Sequence, residues 1–474
     1  MNSAVRFHGE PEMNSPAHDS RTIAAISTPP GAGGIGIIRI SGNESRTILQ
    51  TIFTPANPPC SLDSHRLYYG TITDPAQAKL LDEVLVVYMQ APRTYTREDV
   101  VEIHCHGGFL ILQSVLELIC AHGAELAEPG EFTKRAFLNG RIDLTRAEAV
   151  IDVLSARTRK GVDLALEQMS GALYAAVDRL RCSLVEIRAL LETAIDFPEE
   201  EIEIADHQAL VLRLQEEVLT PLRKLIAQAD SGRIVREGVA IVIIGRPNVG
   251  KSSLLNTLLQ EERALVTSVP GTTRDTIEEY IDIHGIPVRI IDTAGIREDV
   301  EEVEELGIRR ARESLNRADL VLFLVDGSEP IDDDDVSLFE TVKHKPTITV
   351  INKCDLEQRL ERRVHQRIVD GAVEISAREQ TGLEHLKEQV FQRITGGREQ
   401  WQEEGCTPNL RHKAALEKAL LALNRVAEGL AEDLHNDLLM VDLLECLDHL
   451  GDIVGETTNE DVLDVIFEQF CLGK

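Results

Sequence analysis

One short stretch constrains this chain more than any other. The apolar run Ala240 to Ile244 leads into Gly245-Arg246-Pro247-Asn248-Val249-Gly250-Lys251-Ser252, and Ser253-Leu254-Leu255-Asn256 continues as a helix. Strand, glycine-rich loop and helix, in that order, are the parts of a phosphate-binding loop. Its chemistry is electrostatic. Backbone N–H groups of the turn and the positive end of the helix surround the phosphates, Lys251 bridges them, and the Ser252 hydroxyl ligates Mg2+. The segment around it must therefore fold as an α/β nucleotide domain.

Two further motifs follow at the ends of apolar runs. Val288 to Ile291 delivers Asp292-Thr293-Ala294-Gly295, where the carboxylate holds Mg2+ through water and the glycine N–H meets a γ-phosphate. Thr347 to Ile351 delivers Asn352-Lys353-Cys354-Asp355. A carboxylate at Asp355 accepts from the N1–H and the 2-amino group of guanine, two donors that adenine lacks, so GTP is expected over ATP. Ser376-Ala377 fits the loop that supports the guanine. Between the first two motifs, Thr267-Ser268-Val269-Pro270-Gly271-Thr272-Thr273 reads as the polar loop that closes over the γ-phosphate, with Thr273 completing the Mg2+ shell. Ile296 stands where many GTPases carry a water-orienting Gln. Another polar group must take that task, and Glu298, Asp299, Glu301, Glu302, Glu304 and Glu305 are all candidates.

With 474 residues the chain has room for about three domains. Residues 1–20 are polar and read as a disordered tail. Residues 21–139 carry short strand-like runs (Thr22 to Ile26, Ile35 to Ile40, Leu67 to Thr73, Val84 to Met89 and Val100 to His104) broken by Pro and Gly, which reads as an α+β domain. Residues 140–237 have helical spacing, as in Leu210, Leu214, Val218, Leu222 and Leu225. Residues 238–396 form the nucleotide domain. Residues 397–474 return to helices, with Leu416, Leu420, Leu423, Val426 and Leu430, then Leu438, Val441 and Leu444, as apolar stripes. Two helical segments that each lack partners imply one all-α domain into which the α/β P-loop domain is inserted. The run Asp332 to Asp335 reads as a solvated loop rather than a metal site.

Charge narrows the function. Lys plus Arg number 49 against 80 Asp plus Glu, a net −31 that repels phosphate, so a nucleic-acid role must rest on a local patch or a partner subunit. Eight cysteines without a CxxC pair suit reduced thiols rather than a disulfide framework or zinc ribbon. No run of 18 apolar residues occurs, so no membrane span is expected, and the expected location is cytoplasmic.

Two details invite misreading. Gly31 to Gly36 matches the dinucleotide pattern GxGxxG, but Ile37-Ile38-Arg39-Ile40 is β-branched, where a true fingerprint opens a helix. Arg39 beside that loop, with Glu102 in another strand, suits either a small polar ligand or a surface ion pair. Cys471 lies four residues from the end of the sequence, yet Gly473 and Lys474 do not fit a prenylation box. It is either a bystander thiol or a thiolate favoured by the nearby Lys474 cation.

From about residue 20 onward the chain resembles the MnmE (TrmE) family of tRNA modification GTPases. The stretches that carry the likeness are Thr28 to Gly42, Glu98 to Glu102, Pro129 to Gly140, Ala194 to Ile202, the nucleotide motifs, and Phe470-Cys471-Leu472-Gly473-Lys474. The resemblance implies attachment of an aminomethyl or carboxymethylaminomethyl group to carbon 5 of the wobble uridine of certain tRNAs, together with the FAD-dependent partner subunit MnmG. It implies an N-terminal domain that binds 5-formyl- or methylene-tetrahydrofolate and forms a homodimer. The folate ligands would be Arg39, Glu102 and Lys474, with Arg141 where the family commonly has Lys. By the same resemblance Asn248 and Thr272 ligate K+ with the carbonyls of Thr267 and Val269, Glu304 orients the attacking water, and Cys471 is the cysteine needed for modification.

Two other functions compete. A GTPase switch for ribosome assembly usually carries a basic RNA-binding domain, whereas the residues after 400 are acidic. A membrane-remodelling GTPase needs a basic amphipathic or lipid-anchoring segment, and none is seen.

Overall fold

The computed structural model describes residues 21–31, 33–57, 62–197, 207–262, 279–291, 315–361, 364–397 and 406–474. The proposed tail lies outside them. Contacts divide the chain into two units, Met1–Ile142 with Glu460–Lys474, and Asp143–Asn459.

The first unit is built on a seven-stranded sheet of order β3-β4-β5-β6-β2-β1-β7. Its strands are β1 (Ile23–Ile26), β2 (Ile35–Ser41), β3 (Phe53–Pro55), β4 (Arg66–Asp74), β5 (Lys79–Met89), β6 (Val100–His106) and β7 (Glu125–Leu126). All pairings are antiparallel except β1 with β7. Alternation along β6 sends Val101, Ile103 and Cys105 into a core shared with helices α1 (Ser45–Ile52) and α2 (Phe109–Ala121). The opposite face carries Arg39, Glu102 and His104, and there Ile35, Leu67, Tyr69 and Leu85 are exposed. Gly31 to Gly36 runs into strand β2 and not into a helix, so the dinucleotide pattern is accidental.

Helix α3 (Glu131–Leu138) belongs to the same unit. It is joined there by a helix from the far end of the sequence, Glu460–Phe467, whose Asp464 pairs with Lys134 at 2.6 Å. Beyond it, Phe467 and Phe470 are buried 5.3 Å apart. Gly130, at φ +69°, leaves room for them, since a Cβ there would lie 2.6 Å from the Phe467 carbonyl oxygen. Residues 460–474, read from sequence as the end of the helical domain, group by their contacts with the N-terminal unit, where Leu463, Ile466, Phe467 and Phe470 are buried.

In the second unit one core joins helices from both sides of the α/β segment. It gathers α6 (Ala172–Asp196), α7 (His207–Leu214), α8 (Thr220–Glu237), α12 (Leu410–Ala431) and α13 (Asn436–Val454), so the α/β segment is an insertion. The preceding α4 (Leu144–Ser155) and α5 (Arg159–Met169) start at side-chain caps from Asp143 and Thr158. Leu210, Leu214, Val218, Leu222 and Leu225 are all buried. Steps of four drift around a 3.6-residue turn, and a π segment at Gln215–Leu219 widens the turn so that the stripe stays on the core. On α13 the expected stripe is the wrong one. Leu438, Val441 and Leu444 are exposed, and the core is filled by Leu439, Leu443, Cys446, Leu450 and Ile453.

The inserted sheet has the order β13-β12-β11-β8-β10-β9. Strands β8 (Val239–Ile244), β10 (Ile286–Ile291), β11 (Leu320–Asp326), β12 (Thr347–Asn352) and β13 (Val373–Glu374) are parallel, and β9 (Glu279–Ile283) makes an antiparallel hairpin with β10. Both faces of β11 are buried, as a parallel strand under two layers of helices requires. Helices α9 (Lys251–Glu262), α10 (Asp333–Val342) and α11 (Leu383–Thr395) complete the described part of this fold. The four-aspartate run opens a helix rather than a loop, although Asp332, Asp333 and Asp334 are exposed as expected. Asp332 caps α10 in a reciprocal capping box with Asp335, and Asp335 is 1% exposed.

Candidate functional site

Strand β8 ends at Ile244 and the chain turns through Gly245–Gly250 into α9. Packing fixes both glycines. A Cβ at Gly245 would lie 2.3 Å from the Leu324 carbonyl oxygen, and one at Gly250, where φ is +101°, would lie 2.2 Å from Asn352 Nδ2. Asn248 holds a left-handed φ of +64° and is exposed, while Val249 is buried. The Lys251 ammonium donates to the carbonyl oxygens of Gly245 at 2.8 Å and Arg246 at 2.7 Å. Burial lowers its pKa from the ordinary lysine value, and a phosphate would restore the preference for the charged form. Ser252 is half-buried on the first turn and Ser253 is exposed beside it. A cradle closed to any Cβ, a half-buried cation and a hydroxyl oxygen form a donor set that fits a nucleotide phosphate with Mg2+.

The base-reading loop is locked to this cradle. Asn352, at the end of β12 and 3% exposed, donates to the Val249 carbonyl at 2.9 Å and accepts from Ala377 N–H at 3.0 Å. Ser376 Oγ donates to the Asp355 carboxylate at 2.6 Å and thereby holds its pKa below the usual carboxylate range. The carboxylate stays charged and ready to accept from guanine. Lys353 sits at φ +63° with its ammonium 2.5 Å from Asp326. Burial would raise the Asp326 pKa, but hydrogen bonds from Lys353 and Ser328 outweigh it and keep the group ionised.

Asp326 and Ser328 were missed by motif reading. The signal was present, because an apolar strand that ends in a carboxylate at the carboxyl edge of a parallel sheet points at the ligand crevice. Thr267, Ser268, Val269, Pro270, Gly271, Thr272, Thr273, Asp292, Thr293, Ala294, Gly295 and Glu304 lie outside the described residues, as do Ile296 and the other carboxylates weighed with Glu304.

A second cluster lies in the N-terminal unit. Arg39 and Glu102 face each other in register across β2 and β6, and Arg39 Nε donates to Glu102 Oε1 at 2.9 Å. Their side chains are each 20% exposed, which is too little for an ordinary surface pair. Arg39 also donates to the Gly473 carbonyl at 3.3 Å. Gly473 has φ +85°, and a Cβ on it would stand 2.6 Å from the Ile26 carbonyl oxygen. The Arg39 guanidinium lies 5.7 Å from the ring centre of Phe132 and 5.8 Å from that of Tyr95, and the Arg141 guanidinium lies 4.8 Å from Tyr95. Arg39 and Arg141 therefore share one aromatic ring, Glu102 is paired to Arg39, and Lys474 is next in the chain to Gly473. Cys471 is exposed, and its carbonyl accepts from Lys474 N–H at 3.4 Å. Sequence reading missed Tyr95 and Phe132, since nothing local marks a ring that packs against a distant guanidinium.

A phosphate cradle on a parallel sheet, joined through Asn352 to a loop that presents a charged carboxylate to guanine, defines a P-loop GTPase. Residues 22–141 match the model of the GTP-binding protein TrmE N-terminus, and residues 144–471 match that of the MnmE helical domain. Over 462 residues the chain is 60% identical to a tRNA modification GTPase MnmE from Desulfotalea psychrophila, covering 96% of this chain and 99% of that relative. It is 47% identical over 454 residues to the MnmE of Geobacter sulfurreducens, with the same two coverages. The chain belongs to the MnmE family of tRNA modification GTPases.

Solved structures give weaker likenesses. The G domain of the T. maritima FeoB iron transporter is 25% identical with a TM-score of 0.26, covering 33% of this chain and 98% of that one. Aquifex aeolicus Era is 28% identical with a TM-score of 0.26, covering 39% and 66%. Neither adds to the family assignment. Among the described residues no helix is long and apolar enough to cross a membrane.

Proposed function

We propose that this chain hydrolyses GTP in the service of tRNA wobble-uridine modification, the reaction in which an aminomethyl or carboxymethylaminomethyl group is attached to carbon 5. The observation that carries the reading is that Arg39, bonded to Glu102 at 2.9 Å, also donates to the Gly473 carbonyl at 3.3 Å. Cys471 and Lys474 thereby belong to the same unit as Arg39 and Glu102. In this reading Arg39, Glu102, Arg141 and Lys474 hold a 5-formyl- or methylene-tetrahydrofolate, which supplies a one-carbon unit when bound. A guanidinium and a carboxylate, both mostly buried, suit the donor and acceptor edge of a pterin ring.

On the GTPase side Ser252 and Thr273 hold Mg2+. Asn248, Thr272 and the carbonyls of Thr267 and Val269 hold K+. Both cations neutralise charge that builds on the phosphates. Glu304 orients the attacking water, the task for which Ile296 has no polar atom. The partners are tRNA, the FAD-dependent subunit MnmG and a second copy of the chain. The exposed sheet face with Ile35, Leu67, Tyr69 and Leu85 supports the homodimer.

Mass analysis of tRNA nucleosides from a deletion strain tests the proposal. Wobble uridines should lose their C5 substituent and regain it when the gene is restored. Unchanged nucleosides would overturn it, and unchanged nucleosides with accumulating ribosomal precursors would favour the assembly switch.

A further inference from the structure

Arg246 follows the first glycine of the phosphate loop, and its side chain is 18% exposed. Its guanidinium does not stand free in the cradle. Nε forms an ion pair with Asp335 at 2.9 Å, NH1 pairs with Asp332, and NH2 lies 3.7 Å from Glu329. This acidic socket is set by its own backbone. Asp332 accepts from the N–H groups of Asp334 at 3.1 Å and Asp335 at 3.0 Å, and Asp335 accepts from Asp332 N–H at 3.4 Å. Two carboxylates are thus fixed by the first turn of α10, and one guanidinium fills the space they face. That rules out reading the aspartates as a cation site.

The other end of the same residue meets the nucleotide machinery. The Arg246 carbonyl accepts from the Lys251 ammonium at 2.7 Å, beside the Gly245 carbonyl at 2.8 Å. The loop between them contains Asn248 at φ +64°, a conformation that costs a non-glycine residue free energy and persists only where its surroundings hold it. Anchoring a side chain at the loop's second position fixes the carbonyl that aims the lysine.

We propose that Arg246 is a positioning residue for GTP: held in the Asp332–Asp335 socket, it keeps the phosphate loop and Lys251 in their binding arrangement before nucleotide arrives. The cost of ordering the loop is then met on folding and not on binding. The inference rests on the GTPase site alone and is independent of tRNA, folate or K+.

The test uses the full-length protein at a temperature where every variant is folded. Arg246→Ala should raise the Kd for GDP and the KM for GTP about tenfold while kcat stays within about twofold. The preference for GDP over IDP, which lacks the 2-amino group, should not move, because the guanine loop is untouched. Arg246→Lys, which keeps one cation, should recover part of the loss. Asp332→Asn retains a good helix cap but removes the charge, so it should weaken GDP binding without melting α10. Combined with Arg246→Ala it should add little further. Unchanged GDP affinity in a folded Arg246→Ala protein with a lowered Tm would make the arginine merely structural and overturn the proposal. So would full additivity of Arg246→Ala with Asp332→Asn.

Discussion

The Asn352 amide donates to the Val249 carbonyl across 2.9 Å, so the loop that reads the base also holds the loop that cradles the phosphate. The same side chain accepts from Ala377 N–H, and all three residues are buried. Asn352→Ala would leave a buried carbonyl and a buried N–H without partners, at about 1–3 kcal/mol each. The expected outcome is a lower urea midpoint together with weaker GDP binding. A variant with unchanged GDP affinity would mean that the two loops hold position independently.

Asp355 offers guanine an acceptor that Ser376 has already set in place. Asp355→Asn turns one acceptor into an NH2 donor facing the guanine 2-amino donor, so GTP affinity should fall by two orders of magnitude or more, on the order of 3 kcal/mol. Xanthine carries a carbonyl at that position, and XTP should regain much of the loss. Competition of GTP and XTP for the variant reads the result, and equal loss for both nucleotides would refute the proposed pairing.

Hydrolysis should require K+ if, as proposed, the exposed Asn248 offers a neutral oxygen to a monovalent cation that neutralises transition-state charge. Turnover in KCl should exceed that in NaCl at equal ionic strength, and equal rates would end the idea. In the same assay Glu304→Ala should slow turnover by roughly two to three orders of magnitude and leave GTP affinity nearly unchanged. If Glu301→Ala or Glu302→Ala proves the damaging change instead, the water is oriented from another position.

Cys471→Ser should abolish wobble-uridine modification in cells while GTP turnover in vitro is spared. Serine keeps the size of the side chain but supplies no thiolate near neutral pH. Cys471 is exposed, so the change removes no packing. Normal modification by the serine variant would make the thiol dispensable. Loss of hydrolysis would tie it to the nucleotide domain.

Burial pushes the thiols of Cys105 and Cys446 up to about 12 and that of Cys406 up to about 11. All three should resist a disulfide reagent at pH 8 in the native protein and react once the chain is unfolded, whereas the exposed Cys182 and Cys471 react at once. Linkage gives the alkaline limb of stability. An unfolded thiol ionises near 8.5, so the unfolded chain releases these protons first. Stability is undiminished by the three groups below about pH 8.5 and falls as pH rises from there towards 11–12. Tm measured against pH should decline across that interval, and Cys446→Ala should flatten the decline. A Tm that is level across it would contradict the linkage.

What the sequence revealed depended on how locally each feature is encoded. The apolar runs of β8, β11 and β12 are strands because every residue in them prefers burial, and Gly245 and Gly250 mark their turn by lacking a Cβ. On α13 periodicity could not choose, since Leu438, Val441 and Leu444 repeat as regularly as Leu439, Leu443 and Leu450, and only packing against α6 and α12 separates them. The short strands Phe53–Pro55 and Glu125–Leu126 exist through their partners and leave no mark of their own. Asp332 to Asp335 was charged and polar like any solvated run, because nothing nearby in sequence announces Arg246. The terminal segment Phe470 to Lys474 is legible as a motif, but the seat of Gly473 beside Arg39 goes with the packing of Phe467 and Phe470 at Gly130, more than three hundred positions earlier.

That distant seating orders how the protein is made. The N-terminal unit leaves the ribosome first, yet the helix Glu460–Phe467 and the two aromatic residues that seal it emerge only after all of Asp143–Asn459 has been synthesised. At ordinary elongation rates the delay is tens of seconds. During that time the groove at Gly130 and the guanidinium of Arg39 wait without their final partners. A chain truncated before residue 460 should therefore carry an N-terminal unit that is born early and never finished, a substrate for chaperones and proteases even where its GTPase domain is sound.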